Sequence, residues 1–393
     1  MKIYQINNDN NLIDGIFIND DSFGFFFFTK NKINTSLKKC SFKINDKNIT
    51  LIDGSDFIIK HINNTTIFMG NNICLDVECY KLDELDDNSM YIAQEILDFL
   101  SNIVHLPNGN YVVGNVRDYI SVIEKMNDLY PNLEHFYRGH YYYKYLLVPS
   151  LYREKKYYDN EDFIYMDFKS EFYNELAKKK YIEILTTMQH YKMPTRLLDT
   201  TSNPLVALFM ACDKPINYTN KKVNVGEVIY MSCDRKDIKY SDSNTTTLLS
   251  SLACLETKYK KELYYLIKKA KEENNPDIYL NSISYKRFVA EVKTELVSFD
   301  EKIFDPGVLL HHFHVKVGMI NDRIIAQSGN FVLFGLFDYD KSEIFPLETK
   351  SKERIFIVHR DFIMKELEML NIDNGTMYPD KDHMSYEIVK KYK

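Results

Sequence analysis

The sequence contains no tryptophan, few glycines (13) and prolines (10), and six cysteines of which no two stand in a Cys-x-x-Cys pair. A chain of 393 residues can bury enough surface without disulfide staples, so Cys40, Cys74, Cys79, Cys212, Cys233 and Cys254 read as reduced thiols of a cytoplasmic protein. A spanning apolar run is also missing. The longest strongly apolar stretch near the N-terminus, 23–28, falls far short of the ~20 residues that cross a bilayer. Residues 1–10 lack the basic-then-apolar order of a signal peptide, so no membrane association is expected. Nor is there a basic excess. With 50 basic and 56 acidic residues the net charge is −6, which excludes a general field for holding nucleic-acid phosphates. Lys258, Lys260, Lys261, Lys268, Lys269 and Lys271 form the densest basic run, but Glu256, Glu262, Glu272 and Glu273 interrupt it. It reads as a solvated helix face.

What is abundant is apolar and aromatic. Hydrophobic residues make up 45% of the chain, and 30 Tyr and 25 Phe supply every aromatic ring apart from histidine. A large core follows. The accompanying richness in Asn, Lys and Ile assigns the tyrosine excess to the codon usage of an AT-rich genome rather than to base stacking.

Short apolar clusters separated by turn formers (Asn19-Asp20, Asp53-Gly54, Asn63-Asn64) predict a small β domain over residues 1–85. A helical connector is expected over 86–114, with a helix from about Ser89 to Val104 and a turn at Pro107-Asn108-Gly109. Residues 115–393 then form a second, α+β domain. Its predicted elements include a helix from about Asn115 and a long amphipathic helix within 161–190, with Tyr165, Phe168, Phe172 and Leu176 on one buried face. A loop is expected over 241–247 and one helix over 248–273. Late strands follow near 312–317, 330–335 and 354–358, then a helix over 360–370.

Three segments carry chemistry. In Phe136-Tyr137-Arg138-Gly139-His140 an Arg closes a strand-like run, and Gly139 suits a turn or the close approach of a ligand. The Arg138 fork matches phosphate or carboxylate, and the plain alternative is an Arg paired with a nearby acid. The second segment is Gln189-His190-Tyr191-Lys192-Met193-Pro194-Thr195-Arg196-Leu197-Leu198-Asp199-Thr200-Thr201. After it, Asn203 caps and Pro204 opens an apolar helix that must be buried, over 204–212. A structural Arg196–Asp199 pair at spacing three is the plain reading of the charged part, and it leaves Arg138 free for an anionic ligand. The third is Arg323-Ile324-Ile325-Ala326-Gln327-Ser328-Gly329-Asn330-Phe331, with Gln327 at a strand entry and a simple turn as its alternative.

Together these segments, with Pro149-Ser150-Leu151 and Arg153, resemble the FRG domain family, from about Asn115 to Tyr378-Pro379-Asp380. The chain departs from the family in having Thr200 where a Trp is expected, and in a helical insertion near 248–273. Their order is also similar to that of ADP-ribosyltransferases of the Arg–Ser–Glu type: a strand with Tyr-Arg-Gly, a Ser/Thr segment before an apolar helix, and a late strand with Gln or Glu. That resemblance implies a mixed or antiparallel sheet with surrounding helices. It implies NAD as substrate in a cleft lined by Arg138, Gly139, His190, Thr195, Arg196, Asp199, Thr201 and Gln327, with Arg138, Asp199 and Gln327 as the catalytic set. The activity would be ADP-ribosyl transfer to a macromolecular target or NAD cleavage, and the role that of a bacterial toxin or phage-defence effector. The alternative is a non-catalytic module that binds a nucleotide or phosphorylated ligand. Gln327 stands where a Glu would act, and Glu291 and Glu295 are the carboxylates that could replace it. No metal is expected: His312 and His314 share a strand face, but no Cys or carboxylate cluster stands beside them. A hydrolase triad built on His190 has no activated Ser202 or Thr201 to serve.

Overall fold

The computed structural model describes residues 110–213, 225–301, 304–318, 321–339, 354–390 and 392, together with the backbone of strands between residues 3 and 105. Seven of those earlier strands form one antiparallel sheet, in the order Asn11–Ile13, Ile3–Asn8, Ile73–Tyr80, Thr65–Gly70, Asp56–Ile62, Asn48–Leu51 and Phe42–Asn45. Of the connector helix expected from about Ser89 to Val104, residues 89–103 lie outside the described residues, and Val104 itself stands in a short strand.

From residue 110 the chain is α+β, built on a mixed sheet of eight strands. These are β1 (Tyr111–Val113), β2 (Glu134–His140), β3 (Leu197–Thr201), β4 (Gly226–Cys233), β5 (Lys239–Tyr240), β6 (Phe313–Lys316), β7 (Gly329–Leu333) and β8 (Arg354–Ile357). Their order across the sheet is β1-β8-β4-β2-β3-β7-β6-β5, and Val104–His105 pairs onto the β1 edge. The pairings β1–β8 and β5–β6 are parallel; the others are antiparallel.

Helices cover both faces. On one lie α1 (Val116–Leu129), α4 (Pro204–Cys212) and α9 (Arg360–Met369), around Tyr119, Phe209, Tyr230, Ile355 and Ile363. On the other lie α2 (Glu161–Glu171), α3 (Tyr181–His190), α5 (Asn244–Ser251), α6 (Thr257–Glu273) and α7 (Ile283–Glu295). They enclose Phe136, Leu185, Leu249, Leu263 and Phe288. A short α8 (Asp322–Ala326) leads into β7.

The local signals explain several of these elements. Asn115 caps α1 by accepting the Asp118 N–H at 2.7 Å, and Val116, Tyr119, Val122, Ile123 and Met126 fall on its buried side. Asn203 accepts the Leu205 N–H at 2.9 Å, and Pro204 opens α4. Six of the nine residues of α4 are buried, as a helix apolar all round must be.

The expected long helix over 161–190 is broken into α2, a turn at Tyr173–Leu176, and α3. The new N-terminus at Tyr181 is capped twice: Glu183 accepts the Lys180 N–H at 2.9 Å, a local signal, and Glu295 of α7 accepts the Tyr181 N–H at 2.9 Å, a tertiary one. Phe172, expected in the buried face, is 44% exposed. Likewise 248–273 is two helices rather than one, and α5 already starts at Asn244, inside the expected loop, where Ser243 accepts the Thr246 N–H. Both helices pack into the core through Leu248, Leu249, Leu263 and Ile267.

Candidate functional site

The site grows from a split in the sheet. β2 and β3 pair through a single antiparallel bridge, Tyr137 to Thr201. Continuing that ladder would oppose Gly139 to Asp199, but there the strands have parted. The Asp199 carbonyl, which would otherwise lack its ladder donor, accepts Nη1 of Arg138 at 2.5 Å. Arg138 thus stands inside β2 rather than at its end, and its guanidinium replaces a backbone N–H across the gap.

Side chains alternate along β2, so Phe136, Arg138 and His140 share one face. Nε of Arg138 donates to His140 Nε2 at 2.9 Å, and His140 Nδ1 meets Glu227 Oε1 of β4 at 2.8 Å. With Nε2 accepting, the imidazole is the neutral Nδ1–H tautomer. Burial first, then the cations Arg138, Arg153 and Arg354, hold its pKa well below the ordinary histidine value. Glu227 is fully enclosed, and Nε of Arg354 in β8 donates to it at 2.6 Å. Burial pushes the Glu227 carboxyl up to about 8, against the lowering pull of Arg354. Four strands are therefore joined by one polar chain, Asp199–Arg138–His140–Glu227–Arg354, buried at its centre and open at both ends. Arg138 thus positions Asp199 and His140 through two of its nitrogens, Nη1 and Nε.

Gly139 has a different reason from the one its sequence context suggested. It lies within β2, and a Cβ there would overlap the Ala207 carbonyl of α4 and come within 2.7 Å of the Ala211 nitrogen. Its absent side chain admits the buried helix to the sheet.

Asp199 opens on a cleft between α3, β3 and the α8–β7 segment, lined also by Gln189, His190, Thr200, Arg323, Gln327 and Asn330. It is the one carboxylate among the described residues that line it. Its side chain is 42% exposed and lies 3.7 Å from Arg138 Nη1. Gln189 Nε2 donates to Asp199 Oδ2 at 2.9 Å, and Gln189 Oε1 accepts the Thr195 hydroxyl at 2.5 Å. Thr195 therefore acts one step behind the cleft, through Gln189.

The structure gathers Asp199, His190 and Gln327 at the cleft and takes Arg196 away from it. Arg196 is 0% exposed. It is held by Glu161 of α2, with Nε to Oε1 at 2.7 Å and Nη2 to Oε2 at 2.5 Å, and by the Phe334 carbonyl at 2.9 Å. Lys260 of α6 donates to the same carboxylate at 2.7 Å and is equally enclosed. The expected Arg196–Asp199 pair is absent because successive residues entering β3 point to opposite sides, and Glu161 offers Arg196 a bidentate partner. Lys260, read from the sequence as part of a solvated face, is the second cation of this buried group. Thr201 is structural as well: its hydroxyl donates to the Gln327 carbonyl at 2.7 Å and accepts the Asn203 N–H at 3.0 Å, fixing the end of β3 to the α8–β7 turn.

Gln327 is buried beside the cleft, and its amide Nε2 donates to the Met377 carbonyl at 2.9 Å. Neither candidate replacement for a Glu reaches the cleft. Glu295 binds the Tyr181 N–H and the Thr247 hydroxyl, and Glu291 lies against the Tyr181 hydroxyl. His312 and His314 stack on Phe334 and Phe136 at centroid distances of 4.0 and 4.4 Å, and burial lowers both pKa values to about 4.

The motif segments contain Gln189, His140 and Arg323 without showing that Gln189 supports Asp199, that His140 links to Glu227 or that Arg323 lines the cleft, and Glu227 and Arg354 lie outside those segments. Two signals were available: an acid inside the apolar run of β4, and the period-two alternation that puts His140 beside Arg138. No helix among the described residues is long and apolar enough to cross a membrane. No curated protein and no solved structure matches the chain. Residues 134–220, a shorter span than the 115–380 over which the sequence resembles the family, match the model of the FRG domain, and Arg138, Asp199 and the buried helix α4 all fall within the matched stretch.

Proposed function

We propose that the cleft binds an NAD-type nucleotide and that Asp199 is the group on which its chemistry turns. The carrying observation is the placement of Asp199: a half-exposed carboxylate braced by Gln189 and Arg138 at the split between β2 and β3. A carboxylate held this firmly is suited to accept hydrogen bonds from ribose hydroxyls. It is also suited to stabilise positive charge that develops at C1′ as the bond to nicotinamide breaks. Nicotinamide would leave with the bonding electron pair. Water or a nucleophile of a target macromolecule would add to C1′ and release a proton, giving ADP-ribose or an ADP-ribosylated target. Such consumption or transfer suits a toxin or phage-defence effector, the role that the resemblance implies.

Gln327 favours a second reading, recognition without turnover. Its amide is spent on Met377 and carries no charge, so Asp199 stands as the single acid among the described residues that line the cleft. Nicotinamide release from NAD by the purified chain, measured beside NAD binding by calorimetry, separates the two. Binding with release supports the enzyme, binding alone supports the recognition module, and neither refutes both.

A further inference from the structure

We infer that Arg323, with Thr200 and His190, forms the anion subsite of this cleft and takes the phosphoryl groups of its ligand. The inference rests on the nucleotide reading above for the identity of the ligand, but its evidence is separate.

Two other arginines of the motif segments already have protein partners. Arg138 serves the Asp199 carbonyl and His140, and Arg196 is locked to Glu161. Arg323 also lines the cleft, and no carboxylate among the described residues pairs with it. Its guanidinium lies 5.2 Å over the Tyr378 ring, a cation–π contact that brings no hydrogen-bond acceptor to its N–H groups.

A second observation points to a ligand. Thr200 lines the cleft, is only 4% exposed, and its Oγ1 finds no hydrogen-bond partner. Nδ1 of His190, on the facing helix α3, is likewise buried and unpartnered. Buried polar atoms are nearly always paired, so two orphans in the wall of one cleft beside an unpaired guanidinium mark groups waiting for an acceptor. A hydroxyl donates to a phosphate oxygen, and a neutral imidazole does so in its Nδ1–H tautomer. Burial and then Arg323 hold the His190 pKa below its ordinary value, against the weaker pull of Asp380, which favours the neutral form. The cleft therefore carries an acid, Asp199, for sugar hydroxyls and a separate cation, Arg323, for phosphate, which is the charge pattern of a nucleoside phosphate.

The test uses the full chain and calorimetry with ADP-ribose, adenosine and inorganic pyrophosphate as probes, at low and raised salt. Arg323→Gln is expected to weaken ADP-ribose binding on the order of 10- to 100-fold, the range of a charge-assisted contact. Arg323→Lys should recover part of that loss, and Thr200→Val, which keeps the shape and removes the hydroxyl, should weaken binding several-fold. Thermal melts of each variant show whether the fold is kept. The inference is overturned if folded Arg323→Gln binds ADP-ribose as tightly as the parent, or if adenosine binds as tightly as ADP-ribose. In that case nucleotide binding itself still stands. Should the parent bind pyrophosphate but no nucleotide, and Arg323→Gln abolish it, the subsite holds and the nucleotide reading falls. A parent that binds none of the probes refutes both.

Discussion

Replacing Glu161 by Gln is expected to destabilise the domain severely, while replacing its neighbour Lys260 by Met should cost little. Glu161 lies between two enclosed cations. It receives both Nε and Nη2 of Arg196 and the Nζ of Lys260, and all three side chains are at most 4% exposed. A neutral amide leaves the Arg196 and Lys260 charges facing each other in a low-dielectric interior. Removing one partner of a buried pair typically costs about 3–5 kcal/mol. For a domain of this size that corresponds to a fall in Tm of roughly 6–20 °C. Lys260→Met, in contrast, leaves a bidentate Arg196–Glu161 pair with no excess charge and restores apolar volume, so its effect should stay within about 1 kcal/mol. Urea denaturation of the two variants with the parent measures both numbers. Equal losses in the two variants, or an unchanged Glu161→Gln, would refute the claim that one carboxylate holds two buried cations.

The same group sets a pH dependence. Burial raises the Glu161 carboxyl, but Arg196 and Lys260 outweigh it and hold the folded value below the ordinary one. Its contribution is therefore complete above the unfolded value, about 4.3, and is lost as pH falls through the folded one; acid melts should show this loss, and Glu161→Gln should not. Gly139→Ala should destabilise by about 1–3 kcal/mol or more, because its Cβ would overlap the backbone of α4; a variant that melts with the parent contradicts the packing argument. Arg138→Ala removes the donor to the Asp199 carbonyl and to His140 and should cost about 3 kcal/mol. Asp199→Asn, at a half-exposed side chain, should cost under about 1 kcal/mol. The reverse order in thermal melts would show that Arg138 is not built into the sheet.

Local pattern revealed the elements whose causes are local. Asn115 and Asn203-Pro204 announced the starts of α1 and α4, and the all-apolar run of α4 announced its burial. The late strands over 313–316, 329–333 and 354–357 could be placed from their apolar content. What stayed hidden depended on distant partners. The break before α3 is stabilised by Glu295, more than a hundred residues away. Arg196 and Asp199 look like a pair at spacing three, yet a strand sends such neighbours to opposite faces, and Glu161 claims Arg196. Gly139 looked like room for a ligand and is room for a helix. The site was legible to the extent that Asp199, His190 and Gln327 meet at one cleft. Arg323 was not, since nothing in its own segment shows that the other arginines are already spent.

Nicotinamide release from NAD by the purified full chain, compared with the folded Asp199→Asn variant, tests the central claim most directly. The account predicts release by the parent and its loss in Asp199→Asn, whose melting temperature stays near that of the parent. Release that survives in Asp199→Asn, or a parent that neither binds nor cleaves NAD, would contradict it.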